Sequence, residues 1–409
     1  MKILYIVQQS VYDNNKKWIS ADSNINMTIG SVKSLIDKTD WEFYILLAPI
    51  EDFKDIESYK ELLDHKQINY ISWRRPVDAF LNRYHFDVFE FDKLMKSLPK
   101  IDIIWNNIAE ISRNIKTYLY FNSSEIKLIT GCYWLDSPYI GEQNKIDQAI
   151  AYESRQFDGF ECSDLFSFTC ESTRKAFIKN AVKKYEHEFI KKLIDKSTIW
   201  DFGYSQKELD CYCVNEKFNK KTILFLNRMS PTNYTKHKEF IDAVNKLYEK
   251  RQDFQVIFTN PSQKISWQYL KEKVKPIYVY SENILNRKEY VELLWKSNIS
   301  VHLYMSELYG GCSHREAVFT DNIVITPKVN EYFNIQRNNY EFYVNNDLSN
   351  LVEILNNALD SNFIGSKQQL EIKKRNSNSS YEVVSNIIIN DINRIVKNKN
   401  IKEETKYVW

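Results

Sequence analysis

The segment ISVHLYMSELYGGCSHREAVFTDNIVITP, residues 299–327, carries the clearest structural pattern in the chain. An apolar run is followed by adjacent glycines, an amphipathic stretch and a second apolar run. This order predicts a strand, a tight turn, a helix and a parallel strand. The chain has only eight glycines in 409 residues, yet Gly310 and Gly311 stand side by side at the turn. Such a turn either brings the backbone close to a ligand or simply joins strand to helix.

The same alternation of apolar runs and amphipathic stretches extends in both directions. The runs cover residues 2–7, 41–48, 68–72, 101–105, 126–130, 221–226, 254–258, 277–280, 299–304 and 322–326. Continuous apolar strands separated by helices are typical of parallel sheets that are covered on both faces. The polar segment 201–220 lacks periodicity and predicts a linker. We therefore expect an α/β protein with two doubly wound Rossmann-like domains facing a cleft.

The expected domain bounds follow from that linker. We place an acceptor-binding domain at residues 1–205 and a nucleotide-sugar-binding domain at 206–365, for reasons given below. The charged segment 366–409 has a helical pattern, and we expect it to pack back on the first domain.

Composition excludes several other classes of protein. Lys and Arg number 56 against 54 Asp and Glu, so the net charge of +2 does not by itself indicate a nucleic-acid partner. The six cysteines show no zinc-ligand spacing, which favours reduced thiols. No apolar run approaches the ~20 residues that span a bilayer, and the first residues do not form a signal peptide. We therefore expect a cytoplasmic protein without an integral membrane segment.

The glycine turn has the chemistry of an anion site. Backbone N–H groups at a helix N-terminus are unpaired, and glycine lets the main chain approach a phosphate closely. Gly310 and Gly311 would form that approach, with Cys312 and Ser313 opening the helix. Glu316 lies one turn further, where a carboxylate can accept hydrogen bonds from two ribose hydroxyls. The alternative is a structural turn with a surface glutamate.

Cationic residues follow the strand at 221–226. Arg228 stands at its carboxyl end, and Lys236 and Lys238 open the next helix. Parallel sheets bind ligands outside the carboxyl ends of their strands, where these side chains would neutralise a diphosphate. The alternative is solvated surface charge.

Taken together, NRMSPTNYTKHKEF (227–240) and residues 306–327 resemble the nucleotide-sugar half of retaining GT-B glycosyltransferases, the family that includes the glycogen synthases. The resemblance implies that Glu316 binds ribose and that Arg228 and Lys236 bind the diphosphate. In that family another glutamate lies eight residues before the one that corresponds to Glu316. Leu308 occupies that position here, and Glu307 is the nearest carboxylate and our candidate catalytic residue beside the donor sugar.

The resemblance also implies a mechanism. The acceptor attacks on the face from which the diphosphate leaves, and the diphosphate itself takes the acceptor's proton. No protein nucleophile is then required, and the sequence shows none. The Asp-x-Asp motif of metal-dependent GT-A enzymes is missing as well, so we expect neither a metal nor a cofactor beyond the nucleotide-sugar substrate.

Two loops of the first half are candidate acceptor sites. The loop after the first strand, QQSVYDNNKKWISADSN (8–24), offers Lys17, Trp18 and Asp22, unless it is only a surface loop. The loop GCYWLDSPY (131–139) holds Trp134 and Asp136, and it is similar to a loop of the phage DNA α-glucosyltransferase. Asp136 is the candidate general base, with an Asx-turn that ends the strand as the alternative.

Arg113 is a further candidate acceptor-binding residue, because it follows the apolar run 101–105 at another strand-to-helix junction. Basic residues also cluster in segment 170–196, either as a DNA-phosphate contact or as a solvated helix face. The composition is rich in Lys, Asn and Ile, like that of many phages. Together with the basic cluster, it favours a hydroxylated or hydroxymethylated pyrimidine in DNA as the acceptor. The alternatives are a bacterial surface polysaccharide or lipid-linked glycan, and a nucleotide-sugar binder without turnover.

Overall fold

The structure is a computed structural model of the 409-residue chain. It describes residues 1–9, 11–13, 15–19, 22–54, 63–77, 79–132, 146–229, 231, 235–261, 263–304 and 311–397.

The first half of the chain forms a seven-stranded sheet in the order β3-β2-β1-β4-β5-β6-β7, and all of its strand pairs are parallel. The strands are β1 (Lys2–Ile6), β2 (Glu42–Leu47), β3 (Ile68–Ser72), β4 (Ile103–Asn106), β5 (Lys127–Cys132), β6 (Leu165–Phe168) and β7 (Ser197–Ile199). The helices between them are α1 (Ser23–Ile36), α2 (Ala79–Tyr84), α3 (Val88–Ser97), α4 (Ser112–Asn122), α5 (Ile146–Cys162), α6 (Glu171–Ala181) and α7 (His187–Asp195).

The second half forms a five-stranded parallel sheet in the order β12-β11-β10-β8-β9. The strands are β8 (Lys221–Phe225), β9 (Phe254–Phe258), β10 (Ile299–Val301), β11 (Ile323–Pro327) and β12 (Tyr343–Val344). The helices are α8 (Gln206–Cys211), α9 (His237–Tyr248), α10 (Trp267–Lys273), α11 (Arg287–Lys296), α12 (Cys312–Phe319), α13 (Asn330–Gln336), α14 (Leu351–Asp360), α15 (Lys367–Asn376) and α16 (Tyr381–Lys397).

Each sheet is buried because its strands are apolar on both faces. Central β1 is fully buried from Ile3 to Ile6, and so is β10. The second sheet and its helices share one apolar cluster, and the first sheet packs against separate clusters on its two faces. Because all strands of a sheet run the same way, the loops that follow them gather at one edge.

The chain crosses between the two sheets twice. The first crossing follows β7 and the second precedes α16, and Tyr204 pairs with Ser380 where they run side by side. Helix α16 then lies against α1, where the ring of Tyr381 packs directly on Gly30. The carboxylate of Asp391 also accepts hydrogen bonds from two residues at the end of β7. The C-terminal helix therefore belongs structurally to the first domain.

The structure differs from the sequence prediction in several elements. Segment 277–280 makes only an isolated bridge, between Ile277 and Val256, instead of a full strand. Short strands β6, β7 and β12 were not predicted, and the linker contains helix α8. Helix α15 packs on α12 and α13, so the second domain continues beyond residue 365 to about the second crossing. Among the described residues, no helix is long and apolar enough to cross a membrane.

Candidate functional site

The glycine turn opens α12 as the sequence predicts for this position. Gly311 has φ +73° and ψ 153°, a backbone conformation that is reserved for glycine. The N-cap residue, Gly311, has no side chain that could cap the first N–H groups of α12. Ser313, in the first turn, is partly exposed. The turn thus presents backbone donors at the carboxyl edge of the second sheet.

Glu316 lies one turn into α12 and is 4% exposed. Arg287, the first residue of α11, donates to its Oε1 at 2.5 Å and also to Glu208 of α8 at 2.8 Å. Burial by itself would lower the pKa of the Arg287 guanidinium. The two carboxylates together have a larger effect, and the pKa is raised. Burial and Glu316 also raise the pKa of the Tyr290 hydroxyl. Arg287 and Tyr290 therefore hold the Glu316 carboxylate in one orientation, and the sequence patterns did not identify either residue.

Cys312 joins the site to the C-terminal helix. It is buried, and its Sγ lies 3.9 Å from the hydroxyl of Tyr381. Burial is the main cause that raises the pKa of Tyr381. The Cys312 side chain thus points into the packing between the two domains.

The cations after β8 lie at the same edge. Arg228 is partly exposed, and its carbonyl accepts a hydrogen bond from Thr235 at 2.9 Å. Lys236 has a positive φ of 57° immediately before α9, and its Nζ lies 3.7 Å from Glu239. Lys238 is exposed. Of these three cations, Arg228 contributes to lowering the pKa of Lys264, which belongs to the cluster described next.

A cluster of positive charge spans the two domains. The Nζ of Lys16, from the first domain, lies 4.5 Å from the centroid of the Tyr12 ring. The Nζ of Lys264, after β9, lies 4.9 Å from the same centroid. Burial, followed by repulsion from Arg228 and Lys16, lowers the pKa of Lys264. Sequence patterns gave no sign of this cluster because its members are distant along the chain.

A cavity of about 590 Å³ opens beside this cluster. Lys54 of the first domain lines it together with residues from segments 263–267 and 282–284 of the second domain. The side chain of Lys54 donates a hydrogen bond to that of Gln263. The other lining residues of the cavity are Ile265, Ser266, Trp267, Glu282, Asn283 and Ile284. The indole of Trp267 donates to the carbonyl of Glu282 at 2.9 Å, which fixes one wall. The volume lies within the range of pockets that bind small ligands.

The loop after β1 is ordered by its own side chains. Trp18 has no exposed surface, and Asp22 caps α1 while accepting from the backbone of Val11 at 2.9 Å. Lys17 donates to the carbonyl of Glu51 at 2.7 Å. Trp18 and Asp22 therefore cannot touch an acceptor as placed, and they act by shaping the loop. This corrects the direct contact expected from sequence.

Arg113 lies near the start of α4 and is exposed. It forms an ion pair with Glu161 near the end of α5, beside Cys162 and the beginning of β6. Its role in acceptor binding stays a prediction.

Other basic side chains of the first domain are used internally. Arg75 is 4% exposed and lies 4.7 Å from the Trp73 ring, and burial lowers its pKa to about 9. Arg83 pairs with Glu110, and Lys184 pairs with the buried Glu153. The exposed lysines of segment 170–196 lie on α6 and α7 and in the turn between them.

Four of the sequence-predicted site residues lie outside the described residues. They are Trp134, Asp136, Glu307 and Gly310. Their roles remain predictions. Within the described part of the chain, no group of three or more His, Cys, Asp or Glu residues is arranged to hold a metal ion.

Solved structures share this architecture over nearly the whole chain. A glycosyltransferase from Rickettsia africae aligns with a TM-score of 0.64 and 15% identity, covering 97% of this chain and 99% of that one. Anabaena HepE, solved with UDP-glucose, aligns with a TM-score of 0.61 and 13% identity over 96% of this chain and all of its own. A UDP-forming α,α-trehalose-phosphate synthase from Burkholderia vietnamiensis gives 0.65 and 10%, covering 97% of this chain and 99% of that one.

These similarities define the class of fold. Together with the two parallel sheets and the cleft between their carboxyl edges, they confirm that the chain has the GT-B fold. At such identities they show the fold alone. No protein-family model matches the chain, and no curated protein matches it in sequence.

Proposed function

We propose that the protein is a glycosyltransferase that uses a nucleotide-sugar donor. The observation that carries the proposal is the helix opened by Gly311, whose N-terminus lies at the carboxyl edge of a GT-B second domain and has no side-chain cap from its N-cap residue. An anion is stabilised there by both the N–H groups and the helix dipole. HepE, which shares the fold, was solved with UDP-glucose, which supports a donor of this class.

The donor would lie along this edge. Its diphosphate would bind the backbone at Gly311 and Ser313 and the guanidinium of Arg228, with Lys236 and Lys238 supplying further charge. Glu316 would accept from the ribose hydroxyls through whichever oxygen the bond from Arg287 leaves available. The cavity of about 590 Å³ beside Lys264 is large enough for the base.

The reaction would retain the configuration of the sugar. An acceptor hydroxyl oxygen forms a bond to the anomeric carbon as the bond from that carbon to the diphosphate oxygen breaks on the same face. The proton of the acceptor passes to the leaving diphosphate. The protein supplies position and positive charge, and Glu307 and Asp136 remain candidates for contact with the donor sugar and the acceptor hydroxyl.

For the acceptor, we propose a hydroxylated or hydroxymethylated pyrimidine in DNA. Exposed Lys175, Lys179 and Lys191 on α6 and α7 support contact with a polyanion. Arg75, Arg83 and Arg113 give no such support, because they are engaged within the domain. The DNA proposal therefore depends on the lysines and on the loop that contains Asp136.

Calorimetry with a panel of pentose and hexose nucleotide sugars tests the donor. Turnover with duplex DNA containing hydroxymethylpyrimidine, at 50 and 200 mM salt, tests the acceptor. A DNA-phosphate contact requires affinity to fall steeply with salt. Donor binding with transfer to a glycan but not to DNA would replace the DNA acceptor. Donor binding without any transfer would indicate a binding protein, and no donor binding at all would refute the proposal.

A further inference from the structure

Two lysines from opposite domains meet on one aromatic ring. Lys16 lies in the loop after β1 and Lys264 in the loop after β9, and both ammonium groups lie within 5 Å of the centroid of Tyr12. Partial burial and then repulsion from Arg228 and Lys16 lower the pKa of Lys264. Both lysines are exposed, so they are solvated as they stand, and an anion placed beside the Tyr12 ring would be attracted by both charges.

The described residues do not supply that anion as an ion-pair partner. Among them, no carboxylate lies within ion-pair distance of Lys16 or Lys264. Asp13, the carboxylate nearest in sequence, is buried and turned towards the loop backbone, where its Oδ1 accepts from the N–H groups of Asn15 and Lys17. Its other oxygen lies 3.8 Å from Lys54.

The loop holds Lys16 in place. Lys16 has a positive φ of 59°, and the two N–H bonds to Asp13 define the turn around it. The Tyr12 ring packs edge-on against Trp18, whose side chain is fully buried. The backbone of this loop and the Tyr12 ring are therefore preorganised, which lowers the entropic cost of binding.

We propose that Lys16 and Lys264, held on the ring of Tyr12, form a subsite for a phosphate group of a bound substrate. Two ammonium donors from facing loops can clamp the oxygens of one phosphate or diphosphate. Because the lysines belong to different domains, the bound anion links them across the cleft. The phosphate is part of the donor or of the acceptor, and that assignment rests on the proposed function. The proposal that a phosphate binds to these two lysines does not rest on the proposed function.

The test uses the full chain and the substitutions Lys16→Gln and Lys264→Gln, singly and together. Calorimetry measures binding of inorganic pyrophosphate, of uridine diphosphate against uridine, and of a short duplex DNA. The controls are Lys100→Gln and Lys250→Gln, exposed lysines at the opposite edges of the two sheets that make the same change in charge. Tyr12→Leu tests the contribution of the ring.

We expect the double variant to bind pyrophosphate at least tenfold more weakly than the wild type, while both controls bind as the wild type does. A parallel loss for uridine diphosphate alone assigns the subsite to the donor, and a parallel loss for duplex DNA alone assigns it to the acceptor. Unchanged binding of every phosphate probe by the double variant overturns the proposal, as would equal losses in the controls. Intact pyrophosphate binding without sugar transfer would refute the proposed function and leave the subsite standing.

Discussion

Arg315 of α12 donates to Asp201 of the first crossing at 2.6 Å, although 114 residues separate them in sequence. Arg315 is 1% exposed and also lies 3.3 Å from Glu331 of α13. Asp201 in turn accepts from Ser379 of the second crossing at 2.6 Å. Burial raises the pKa of Asp201, and the positive charge of Arg315 opposes that shift. One guanidinium thus connects the site helix with both crossings between the domains.

The substitution Arg315→Met should strongly destabilise the fold. It leaves the buried Glu331 and the partly exposed Asp201 without their cation, and breaking a buried ion pair costs about 3–5 kcal/mol. Urea unfolding measures the loss. Lys275→Met, which removes the exposed pair with Glu249, is the control and should cost no more than about 1 kcal/mol. If both variants lose a similar free energy of unfolding, the ion pairs of Arg315 stabilise the fold no more than an exposed pair does.

Substitution of Gly311 by alanine should affect both stability and the donor. Its positive φ makes any side chain unfavourable, at about 1–3 kcal/mol, although a Cβ would meet nothing closer than Ser313 Oγ at 3.8 Å. Gly365 also has a positive φ, of 80°, with no atom within 4 Å of a Cβ. Gly365→Ala should therefore weaken the fold by a similar amount without changing nucleotide binding. Equal nucleotide affinities in the two variants would argue against the glycine turn as the diphosphate site.

Glu316→Gln should weaken binding of the nucleotide. Hydrogen bonds to a charged group are worth about 1.5–3 kcal/mol, so we expect a loss of about tenfold or more. Glu331→Gln is the matched control, because that glutamate is equally buried and pairs with Arg315 instead. Titration with nucleoside diphosphate separates the two. If Glu316→Gln retains full affinity, the ribose assignment is wrong.

Stability should fall with acid because of the buried histidines. His302 has its pKa lowered to about 3 by burial, and burial also lowers the pKa of His314. Between the ordinary pKa near 6.5 and pH 3 the unfolded chain binds protons that the folded one does not. His302 therefore removes about 1.4 kcal/mol of stability for each pH unit below about 6.5. Above that pH its effect is constant.

Urea unfolding from pH 7.5 to 5 measures this slope. His302→Gln, which retains a polar partner for Ser300, should flatten it, and substitution of the exposed His187 by Gln should have no such effect. An unchanged slope in His302→Gln would exclude this residue as its source.

The sequence was sufficient for the fold because alternation of apolar runs and helices is a local signal. It missed β6, Leu165–Phe168, because four residues between two helices show no distinct pattern. It located the turn at Gly311 for the same local reason. It could not reveal that Arg287 holds Glu316, or that Lys16 meets Lys264, because these contacts join segments far apart in sequence. Trp18 was misjudged because exposure of a loop side chain depends on packing.

The two crossings have a consequence for how the chain could be divided. A cut in the exposed segment after α8, around residue 214, would leave a C-terminal fragment that still carries α16. That helix buries Val384, Ile388 and Ile392 completely in the first domain. Such burial stabilises an assembly by several kcal/mol. The two fragments should therefore remain associated without a covalent link, and the protein should tolerate expression as two separate polypeptides.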